Sequence, residues 1–477
     1  MAPPRKAFGA RTATGREADA TPGGVVVISD RSGQRSASRT VRSFDAAPLP
    51  APSPAADERA RRAQGPAVIE RILPVLDLVE AAAPVDAVEV VAREFAALLG
   101  AEQVSFLIAD LAGGSLIRFV RPGHAGPRAR GVAEQLETVA MEGTPYQAAL
   151  VSQRVQVVAD GGRYRLFAPV ADRGDALGVL ELVVASPPAD SLLAELASAA
   201  HALAYVVIAS RRHTDLFECV QRDTPFSLAA EIQRRVLPSA FTCEAEQFTF
   251  AGWLEPASHV GGDTFDYSVD RDVLHVSMTD AMGHGVKAAL LATLAIGSLR
   301  NSRRADIGLA EQARRANEAM TLHATDDQFV TGLLLQADLR TGRVAAVNAG
   351  HPWPYRLRGG QVECLELDAD IPFGMTADAS YREQELHLEA GDRLVVVTDG
   401  LLERNGAMAD FDIAAALADT ARLHPREAVH VFKASILAIA GAELADDAAV
   451  LCIDWHGSRH RDTAGAVPRA GRGLPPE

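Results

Sequence analysis

The chain has 477 residues, of which 48% are hydrophobic and 23% are charged. This composition is typical of a globular protein with roughly two to four domains, each large enough to bury its own core. The formal net charge of −15 argues against wholesale binding of nucleic acid and is compatible with holding metal ions. The four cysteines are widely spaced, with no CxxC or Cys/His cluster. Neither a zinc site nor a disulfide framework is therefore expected, which fits a reducing cytoplasm.

Both ends of the chain are predicted to be disordered tails. Residues 1–65 are rich in Ala, Pro, Ser, Gly and Arg, and residues 457–477 have a similar composition. Such segments bury too little apolar surface to offset the entropy lost on ordering. No signal peptide is expected, because the N-terminal arginines surround no compact apolar core. The most apolar stretch, "LAELASAAHALAYVVIAS" from Leu193, contains a glutamate and a histidine. We therefore expect a buried or dimerising helix there and no membrane span.

Residues 66–212 have the element order of an α+β domain. "AVIERILPVLDLVEAA" and "VDAVEVVAREFAALLG" show helical spacing of apolar residues. Strands are predicted in "VSFLIAD", "GSLIRFVR", "RVQVVAD", "YRLFAPVA" and "ALGVLELVVAS", with a helix around "RARGVAEQLETVAM" and a closing helix from Ser191 to about Arg212. This order resembles a GAF domain, which implies a sensor for an unknown small ligand or a dimerisation module. A PAS-like domain and a GAF domain without a ligand are the alternatives.

Residues 213–240 are predicted to form a helical connector. In "SLAAEIQRRVLPS" the apolar residues Leu228, Ile232 and Val236 recur every four positions, and Pro238 ends the helix. A helix leading out of a sensor suits signal transmission, although a spacer that packs on the next domain would show the same pattern. Together with the long helix before it, the connector leads us to expect a homodimer.

Residues 241–456 are rich in strand patterns that end in aspartates. In "VGGDTFDYSVDRDVLHVSMTDAMGHG", Asp263 and Asp280 fall near the ends of two neighbouring strands, which we expect to be antiparallel. The strand of "DRLVVVTDGLLE" ends at Asp399, and Asp446 and Asp447 open the strand of "DDAAVLCIDW". The predicted sheets therefore carry their carboxylates at strand ends, where those side chains can meet.

Two of these aspartates adjoin a glycine: Gly262 precedes Asp263, and Gly400 follows Asp399. Carboxylates gathered in one cleft would repel each other. Two hard divalent cations, Mg²⁺ or Mn²⁺, prefer carboxylate and water oxygens and would remove that repulsion. Two cations about 3.5–4 Å apart can share a water molecule, lower its pKa and direct it at phosphorus. The pattern thus predicts a site for two divalent cations.

Six motifs occur in a fixed order: "VGGDTFDY", "TDAMGHGVKAALL", "VNAGHPWPY", "IPFGM", "VVVTDGLLE" and "DDAAVL". They resemble the bacterial branch of the metal-dependent protein phosphatases (PPM, protein phosphatase 2C-like), and more narrowly the SpoIIE/RsbU type. "EIQRRVLP" resembles the entry helix of that branch. The resemblance covers roughly residues 229–454. It implies an α/β/β/α sandwich with the metals at one edge, so the whole chain is an α+β protein: a GAF-like domain, a connector and a phosphatase domain.

The resemblance implies a metal-binding set that consists of Gly262, Asp263, Asp280, Ala281 through its backbone carbonyl, Asp399, Asp446 and Asp447. Asp263 would bridge two divalent cations, Mn²⁺ or Mg²⁺. Asp280 would hold one cation, and Asp399 and Asp446 would hold the other. Asp447 would support or replace its neighbour.

Four further residues are singled out by the same motifs. His284 is a candidate general acid for the leaving group, and a loop-capping histidine is an equal alternative. Asp266 and His351 are expected to orient the ligands and to close a loop. Ala449 stands where the pattern DD-x-Thr has a hydroxyl residue, which we expect to tune activity without abolishing it.

The resemblance implies hydrolysis of phosphoserine or phosphothreonine on a protein by direct attack of water. In this branch the usual substrate is a phosphorylated anti-anti-sigma (STAS-domain) protein in a partner-switching pathway that frees a sigma factor. We expect a cytoplasmic enzyme regulated by the GAF-like domain, with no nucleic-acid or membrane partner. Three alternatives stay open. "GGDTF" suggests a diguanylate cyclase, although Thr264 stands where that enzyme needs an acid. The others are a non-catalytic scaffold and a phosphatase of a small phosphorylated molecule.

Overall fold

The computed structural model describes residues 75–110, 115–120, 137–221, 227–255, 262–323, 328–402, 412–440 and 447–457. These residues belong to one contact unit, Gln64–Glu477. The predicted tails lie outside the described residues, except for Gly457.

The N-terminal domain is built on a six-stranded antiparallel sheet of order β3-β2-β1-β6-β5-β4. Its strands are β1 Gln103–Ala109, β2 Ser115–Val120, β3 Thr138–Ala140, β4 Gln156–Asp160, β5 Arg163–Asp172 and β6 Asp175–Val184. Its helices are α1 Ala87–Leu98, α2 Pro145–Ser152, α3 Asp190–Ser210 and the short α4 Leu216–Val220. The five strands predicted from sequence are confirmed, and β3 is a sixth.

The sheet buries apolar side chains on both faces, because successive residues of a strand point to opposite sides. In β1, Phe106 and Ile108 belong to the core under α1 and α3. Leu107 points the other way and joins Tyr146 of α2 in a second, smaller core. The domain is therefore a sheet with helices on both faces, as the predicted α+β class requires.

The helix predicted around "RARGVAEQLETVAM" is wrong in its C-terminal part. Thr138–Ala140 is strand β3, paired antiparallel with β2, and residues 121–136 lie outside the described part of the chain. The helix α2 begins later, after Thr144, whose hydroxyl accepts a hydrogen bond from the Gln147 N–H at 3.4 Å. Thr144 followed by Pro145 is an N-cap and first-turn pair, which is a local signal for the start of this helix.

Helix α3 is long and apolar enough to cross a membrane by length and composition, with a mean hydropathy of 1.8 over its best window. Among the described helices it is the one that meets this criterion. Its residues Leu196, Leu203 and Val207 lie in the main core of the N-terminal domain, whereas Tyr205 is 52% exposed. A core helix of a folded domain has the same composition, so the criterion is weak evidence for a span.

The connector helix α5 spans Leu228–Val236 and is capped by Ser227, whose hydroxyl accepts from the Ala230 N–H at 3.2 Å. The predicted apolar stripe is partly wrong, because Leu228 is 66% exposed. The buried residues of α5 are Ala229, Gln233 and Val236. The packed face of the helix is thus rotated towards a glutamine.

The C-terminal domain has two antiparallel sheets, of order β15-β12-β11-β10-β9 and β14-β13-β16-β17-β8-β7. The first contains β9 Thr264–Val269, β10 Val273–Ala281, β11 Val330–Asp338, β12 Arg343–Ala349 and β15 Gln384–His387. The second contains β7 Thr242–Glu244, β8 Phe248–Glu255, β13 Tyr355–Arg358, β14 Gln361–Cys364, β16 Arg393–Val397 and β17 Ala448–Trp455. Helices α6 Gly285–Arg304, α7 Leu309–His323, α8 Ile413–Asp419 and α9 Pro425–Ala440 complete the domain.

The two sheets stack face to face around one apolar core, which includes Phe250 and Leu451 from one sheet and Phe265 and Met278 from the other. Helices α6 and α7 cover the outer face of the first sheet. Helices α8 and α9 cover the outer face of the second. The alanines of α6 face the sheet and include Ala292 at 0% exposure. The predicted α/β/β/α layering is confirmed.

Candidate functional site

The β9–β10 hairpin brings Asp263 and Asp280 to one end of the first sheet. Thr264 pairs with Thr279 in the antiparallel register, and their hydroxyl oxygens are 2.7 Å apart. Asp263 comes directly before Thr264, and Asp280 directly follows Thr279. The two aspartates therefore lie at neighbouring strand ends, as the sequence predicts.

Glycine at position 262 allows the chain to enter this hairpin. A Cβ atom on Gly262 would lie 2.0 Å from the carbonyl oxygen of Ala281. The Ala281 N–H donates a hydrogen bond to the Gly262 carbonyl at 3.2 Å. Any side chain at this position would push the backbone away from the end of β10. Gly262 thus keeps Asp263 beside Asp280 and Ala281.

The second sheet contributes its aspartates at the adjacent ends of β16 and β17. Asp399 opens a 3₁₀ turn, Asp399–Leu401, immediately after β16, and Asp447 immediately precedes β17. The two strands are joined here because the Thr398 hydroxyl accepts a hydrogen bond from the Ala449 N–H at 2.9 Å. Ala449 itself is fully buried in the core between the sheets.

Asp263 lies at the electrostatic centre of the site. It is 2% exposed, and its Oδ2 atom has no hydrogen-bond partner. Burial raises the pKa of Asp263 well above its ordinary value, and the nearby charges of Asp280, Asp447 and Asp399 raise it further. A hydrogen bond from Thr398 acts in the opposite direction. Three further carboxylates, one from the same sheet and two from the other, therefore act on Asp263 at one edge of the sandwich.

This set of side chains fits hard divalent cations. Carboxylate oxygens are the ligands that Mg²⁺ and Mn²⁺ prefer, and a cation would give the Oδ2 atom of Asp263 the partner it lacks. Within the described ranges, no three His, Cys, Asp or Glu side chains converge as a ready-made metal site. Asp446, the remaining predicted ligand, lies outside those ranges. The fit thus rests on donor chemistry and on the unpartnered oxygen, and not on a preformed cluster.

Gln233 of the connector helix reaches into this edge of the sandwich. Its Nε2 atom donates to the Asp263 carbonyl at 2.7 Å and to Asp447 Oδ2 at 3.3 Å. Gln233 is 3% exposed, and it explains why the packed face of the connector contains a glutamine. Sequence reasoning missed this residue. The available signal was a polar residue at helical spacing from the small Ala229 and the apolar Val236.

His284 lies at the entrance to helix α6. It occupies the N-cap position with an extended backbone (φ −140°, ψ 166°), and its side chain makes no capping hydrogen bond. The flanking Gly283 and Gly285 have φ of 93° and 74°, which favours glycine at both positions. His284 is exposed. The His284 side chain therefore does not cap helix α6, and the general-acid and loop-capping roles both stay predictions.

Asp266 fastens helix α6 to the first sheet. Its two carboxylate oxygens accept hydrogen bonds from Arg300 at 2.8 Å and from Arg303 at 3.0 Å. Arg300 also donates to the Val236 carbonyl, at the end of the connector, at 2.7 Å. Asp266 thus links β9 to α6, and Arg300 links α6 to α5, whose Gln233 contacts the Asp263 carbonyl.

His351 closes the turn that follows β12. Its N–H donates to Asn348 Oδ1 at 2.8 Å, and the Asn348 side-chain amide donates to the His351 carbonyl at 2.9 Å. The imidazole lies 3.1 Å from the Pro352 carbonyl through Nδ1, and Nε2 is buried without a partner. Burial lowers the pKa of His351 to about 4, so the ring is neutral at physiological pH.

Residues 270–456 match the family model of Stage II sporulation protein E (SpoIIE). This part of the chain is a SpoIIE-type phosphatase domain. This match to SpoIIE argues against the diguanylate cyclase that "GGDTF" suggests. It begins after the N-terminal domain, whose resemblance to a GAF domain stays a prediction based on the order of its elements.

Two curated proteins of Bacillus subtilis (strain 168) are similar to the SpoIIE-type domain of this chain. Phosphoserine phosphatase RsbU is 21% identical over 224 residues, which are 46% of this chain and 67% of RsbU. Phosphoserine phosphatase RsbP is 25% identical over 193 residues, which are 39% of this chain and 47% of RsbP. The chain thus spans about two thirds of the first relative and about half of the second.

Solved structures with a related phosphatase domain include the SiaA-PP2C domain of Pseudomonas aeruginosa. It is 27% identical, with a TM-score of 0.41, over 48% of this chain and 93% of that domain. Another is the PP2C phosphatase domain of SpoIIE from Bacillus subtilis with a fragment of its regulatory domain. It is 13% identical, with a TM-score of 0.39, over 64% of this chain and 84% of that one. At these TM-scores the superpositions add nothing to the fold derived above from strand order and core packing.

Proposed function

We propose that this protein is a metal-dependent phosphatase that hydrolyses phosphoserine or phosphothreonine on a protein. The observation that carries the proposal is the edge of the sandwich where Asp263, Asp280, Asp399 and Asp447 influence one another around a buried, unpartnered oxygen. Neutral side chains would serve a purely structural role better, because buried carboxylates without a cation destabilise the fold. This argues against the non-catalytic scaffold.

The cations would be held by Asp263, Asp280, Asp399, Asp446, Asp447 and the backbone carbonyl of Ala281. When bound, two divalent cations would neutralise phosphate charge and activate a water molecule for attack at phosphorus. Asp263 and its turn at Gly262 define the buried end of the site. Gln233 holds Asp447 and the Asp263 backbone in place.

His284 is proposed as the proton donor to the leaving seryl or threonyl oxygen. It is exposed at the start of α6, a few residues after Asp280, where an incoming protein side chain can reach it. General acid catalysis of this kind contributes about 10²–10⁴-fold. His284→Gln would therefore lower turnover without changing the amount of metal bound.

The substrate we propose is a phosphorylated STAS-domain protein, an anti-anti-sigma factor in a partner-switching pathway of sigma-factor control. Support comes from the similarity of the domain to two proteins named phosphoserine phosphatases and from the family motifs in the sequence. A small phosphorylated molecule would use the same cations, and the rim of the cleft would decide between the two classes of substrate.

A cavity of about 740 Å³ supports the proposed small ligand of the N-terminal domain. It opens on the sheet, and its lining includes Ser105, Arg118, Arg165 and Glu181. Glu181 is 3% exposed and accepts hydrogen bonds from Arg118 at 2.8 Å and from the Tyr146 hydroxyl at 2.9 Å. This lining suits a small polar ligand. A thermal-shift screen of polar metabolites tests it, and a hit that survives Glu181→Gln and Arg118→Ala would count against this cavity.

Regulation of the phosphatase by the N-terminal domain, homodimerisation and a cytoplasmic location are further parts of the proposal. Helix α3 and connector α5 support the dimer, because Tyr205 and Leu228 expose 52% and 66% of their surface. Sedimentation equilibrium of the full chain measures the stoichiometry. A monomer at micromolar concentration would rule the dimer out.

The deciding experiment measures phosphate release by the full chain from p-nitrophenyl phosphate and from a phosphoserine STAS protein. We expect turnover with Mn²⁺, none with EDTA, and a loss of at least about 100-fold in Asp399→Asn, since this removes a charged ligand of a metal on which catalysis depends. The matched control is Asp419→Asn, an exposed aspartate at the end of α8, which should retain wild-type turnover.

The outcomes separate the alternatives. Preference for the phosphoprotein by kcat/KM would support partner switching, whereas preference for a small phosphate ester would overturn the substrate class. EDTA-resistant turnover, or equal activity in Asp399→Asn and wild type, would reject the metal mechanism. No turnover by the full chain or by residues 213–477 would favour the scaffold.

A further inference from the structure

The turn between β5 and β6 of the N-terminal domain lies against the phosphatase domain. Asp175 Oδ1 accepts a hydrogen bond from the Phe241 N–H at 3.0 Å. Two residues earlier, the carbonyl of Arg173 accepts a hydrogen bond from the Glu244 N–H at 2.8 Å. Both donors belong to the segment that enters and forms β7, so the turn accepts hydrogen bonds from the backbone of the phosphatase domain.

The same turn is held from a second element, the first residues of α9. Arg426 Nη1 donates to the Gly174 carbonyl at 2.7 Å, and Nη2 donates to Glu244 at 3.1 Å. Glu244 also lies 3.3 Å from His424. Arg426 is 8% exposed, and one of the hydrogen bonds of this charged side chain is donated to the N-terminal domain. Such charge-assisted bonds are stronger than neutral ones.

Shape as well as charge is matched at this contact. Gly174 has φ +81°, and a Cβ atom there would lie 2.4 Å from Glu244 Oε1. The Gly174 backbone therefore lies directly against the side chain of Glu244. Burial raises the pKa of Asp175 to about 6. The hydrogen bonds from the backbone of Phe241 and Thr242 and the charges of Arg211 and Arg234 act in the opposite direction and lower this pKa. A neutral hydrogen-bond acceptor would consequently suit this position at least as well as an ionised one.

Contacts continue from this surface towards the aspartates. The Phe241 ring packs on Phe265 at 5.0 Å between centroids, and Phe265 is two residues from Asp263. On its other side the Phe241 ring lies 5.2 Å from the guanidinium of Arg234, next to Gln233. Strand β7 pairs with β8, which pairs with β17 directly after Asp447. The contact thus adjoins elements that position two of the four carboxylates.

We propose that residues 241–244 together with Arg426, here called the latch surface, form a releasable docking surface for the turn 173–175, and that docking sets the affinity of the active site for divalent cations. The cation part of this inference rests on the proposed function. The docking part does not.

The test uses the full chain and three variants of the contact between the turn 173–175 and the latch surface. Asp175→Ala removes the acceptor for the Phe241 N–H, and Arg426→Ala removes the donor to the Gly174 carbonyl. Asp175→Asn keeps an acceptor and drops the charge. The matched control is Arg173→Ala, because the side chain of Arg173 is exposed and its contact with Glu244 uses only the backbone carbonyl.

The first readout is hydrogen exchange of the amides of Phe241 and Glu244. Asp175→Ala and Arg426→Ala should each speed this exchange about 10-fold, which is the effect of losing a bond or two of ordinary strength. Asp175→Asn and Arg173→Ala should stay near wild type. Unchanged protection in both alanine variants, or the same loss in Asp175→Asn, would overturn the docking. Circular dichroism of each variant shows whether it is folded.

The second readout is the Mn²⁺ concentration that gives half-maximal phosphatase activity. Release of the turn 173–175 from the latch surface should raise this Mn²⁺ concentration about 5-fold or more, which is the lower end of typical coupling between sites. An unchanged Mn²⁺ requirement together with lost protection would overturn the coupling and leave the docking. If the wild type has no phosphatase activity, the proposed function fails, and the exchange data still decide the docking.

Discussion

At the scale of single residues, backbone closeness decides what position 262 tolerates. We predict that Gly262→Ala destabilises the protein by about 1–3 kcal/mol, the usual effect of overpacking, because its Cβ would lie 2.0 Å from a carbonyl oxygen. The matched control is Gly297→Ala in α6, where a Cβ meets nothing within 4 Å. This control should be neutral or more stable by up to about 1 kcal/mol. Urea unfolding measures both, and equal stabilities would contradict the prediction.

His351 should make the protein sensitive to acid. Its pKa is lowered from 6.5 to about 4 by burial, so the folded chain binds fewer protons here than the unfolded chain between these values. The contribution to stability, about 3 kcal/mol at about 1.4 kcal/mol for each pH unit, is therefore fully present above pH 6.5. It is lost as the pH falls through about 4.

The measurement is the free energy of unfolding at several pH values for wild type and for His351→Gln, which has no titrating ring. The difference between the two proteins should shrink as the pH falls from 6.5 to 4. Asp263 has a raised pKa and the opposite pH dependence, but it is present in both proteins and cancels. A difference that does not vary with pH would show that His351 titrates normally.

The candidate ligands were predictable at this scale, because an aspartate at a strand end is a local pattern, and Asp263 and Asp399 also adjoin a glycine. Asp263, Asp280 and Asp399 all lie where that pattern places them. Gln233 was not predictable in the same way. Its partners, Asp263 and Asp447, are 30 and 214 residues away in sequence, and no local pattern reports a contact at that distance.

At the scale of elements, alternation in the strands was the strongest signal. The hairpin that contains Asp263 and Asp280 lies where alternation places it. The five predicted strands of the N-terminal domain are instead short apolar runs, because both faces of their sheet are buried. Alternation is strong because one face of a sheet must be buried, so a shift of one residue would exchange core and surface. Short elements carry less of this signal, and the strand Thr138–Ala140 was assigned to a helix for that reason.

Helices α1, α3 and α5 lie where apolar spacing predicts them, but the buried face of α5 does not. Apolar spacing in the connector pointed to Leu228, yet the helix turns Ala229 and Gln233 inward. The reason is that hydrogen bonds of Gln233 and the ion pairs between Asp266, Arg300 and Arg303 orient these helices. Leaving a buried polar group unsatisfied costs about 1–3 kcal/mol, and the partners of these groups come from other elements.

At the scale of the whole molecule, the site is a joint between two sheets. Asp263 and Asp280 come from the first sheet, and Asp399 and Asp447 come from the second. A cation bound by both pairs would therefore link the two layers of the sandwich and would bind only to the folded chain. The N-terminal domain contacts the same sandwich through β7 and α9, so cation binding and docking act on one folded unit.

The prediction at this scale is that Mn²⁺ stabilises the folded chain whether or not any substrate is turned over. At about 100 times its dissociation constant, one bound cation should raise the free energy of unfolding by about 2.7 kcal/mol. EDTA should reverse the rise, and Asp263→Asn should greatly reduce it, because Asp263 lies at the centre of the four carboxylates. The exposed Asp419→Asn should respond like wild type. Calorimetric unfolding with and without Mn²⁺ measures this rise.

An equal rise in Asp263→Asn would place the cation elsewhere. No rise in wild type would mean that the repulsion around Asp263 is relieved by protonation and not by a metal.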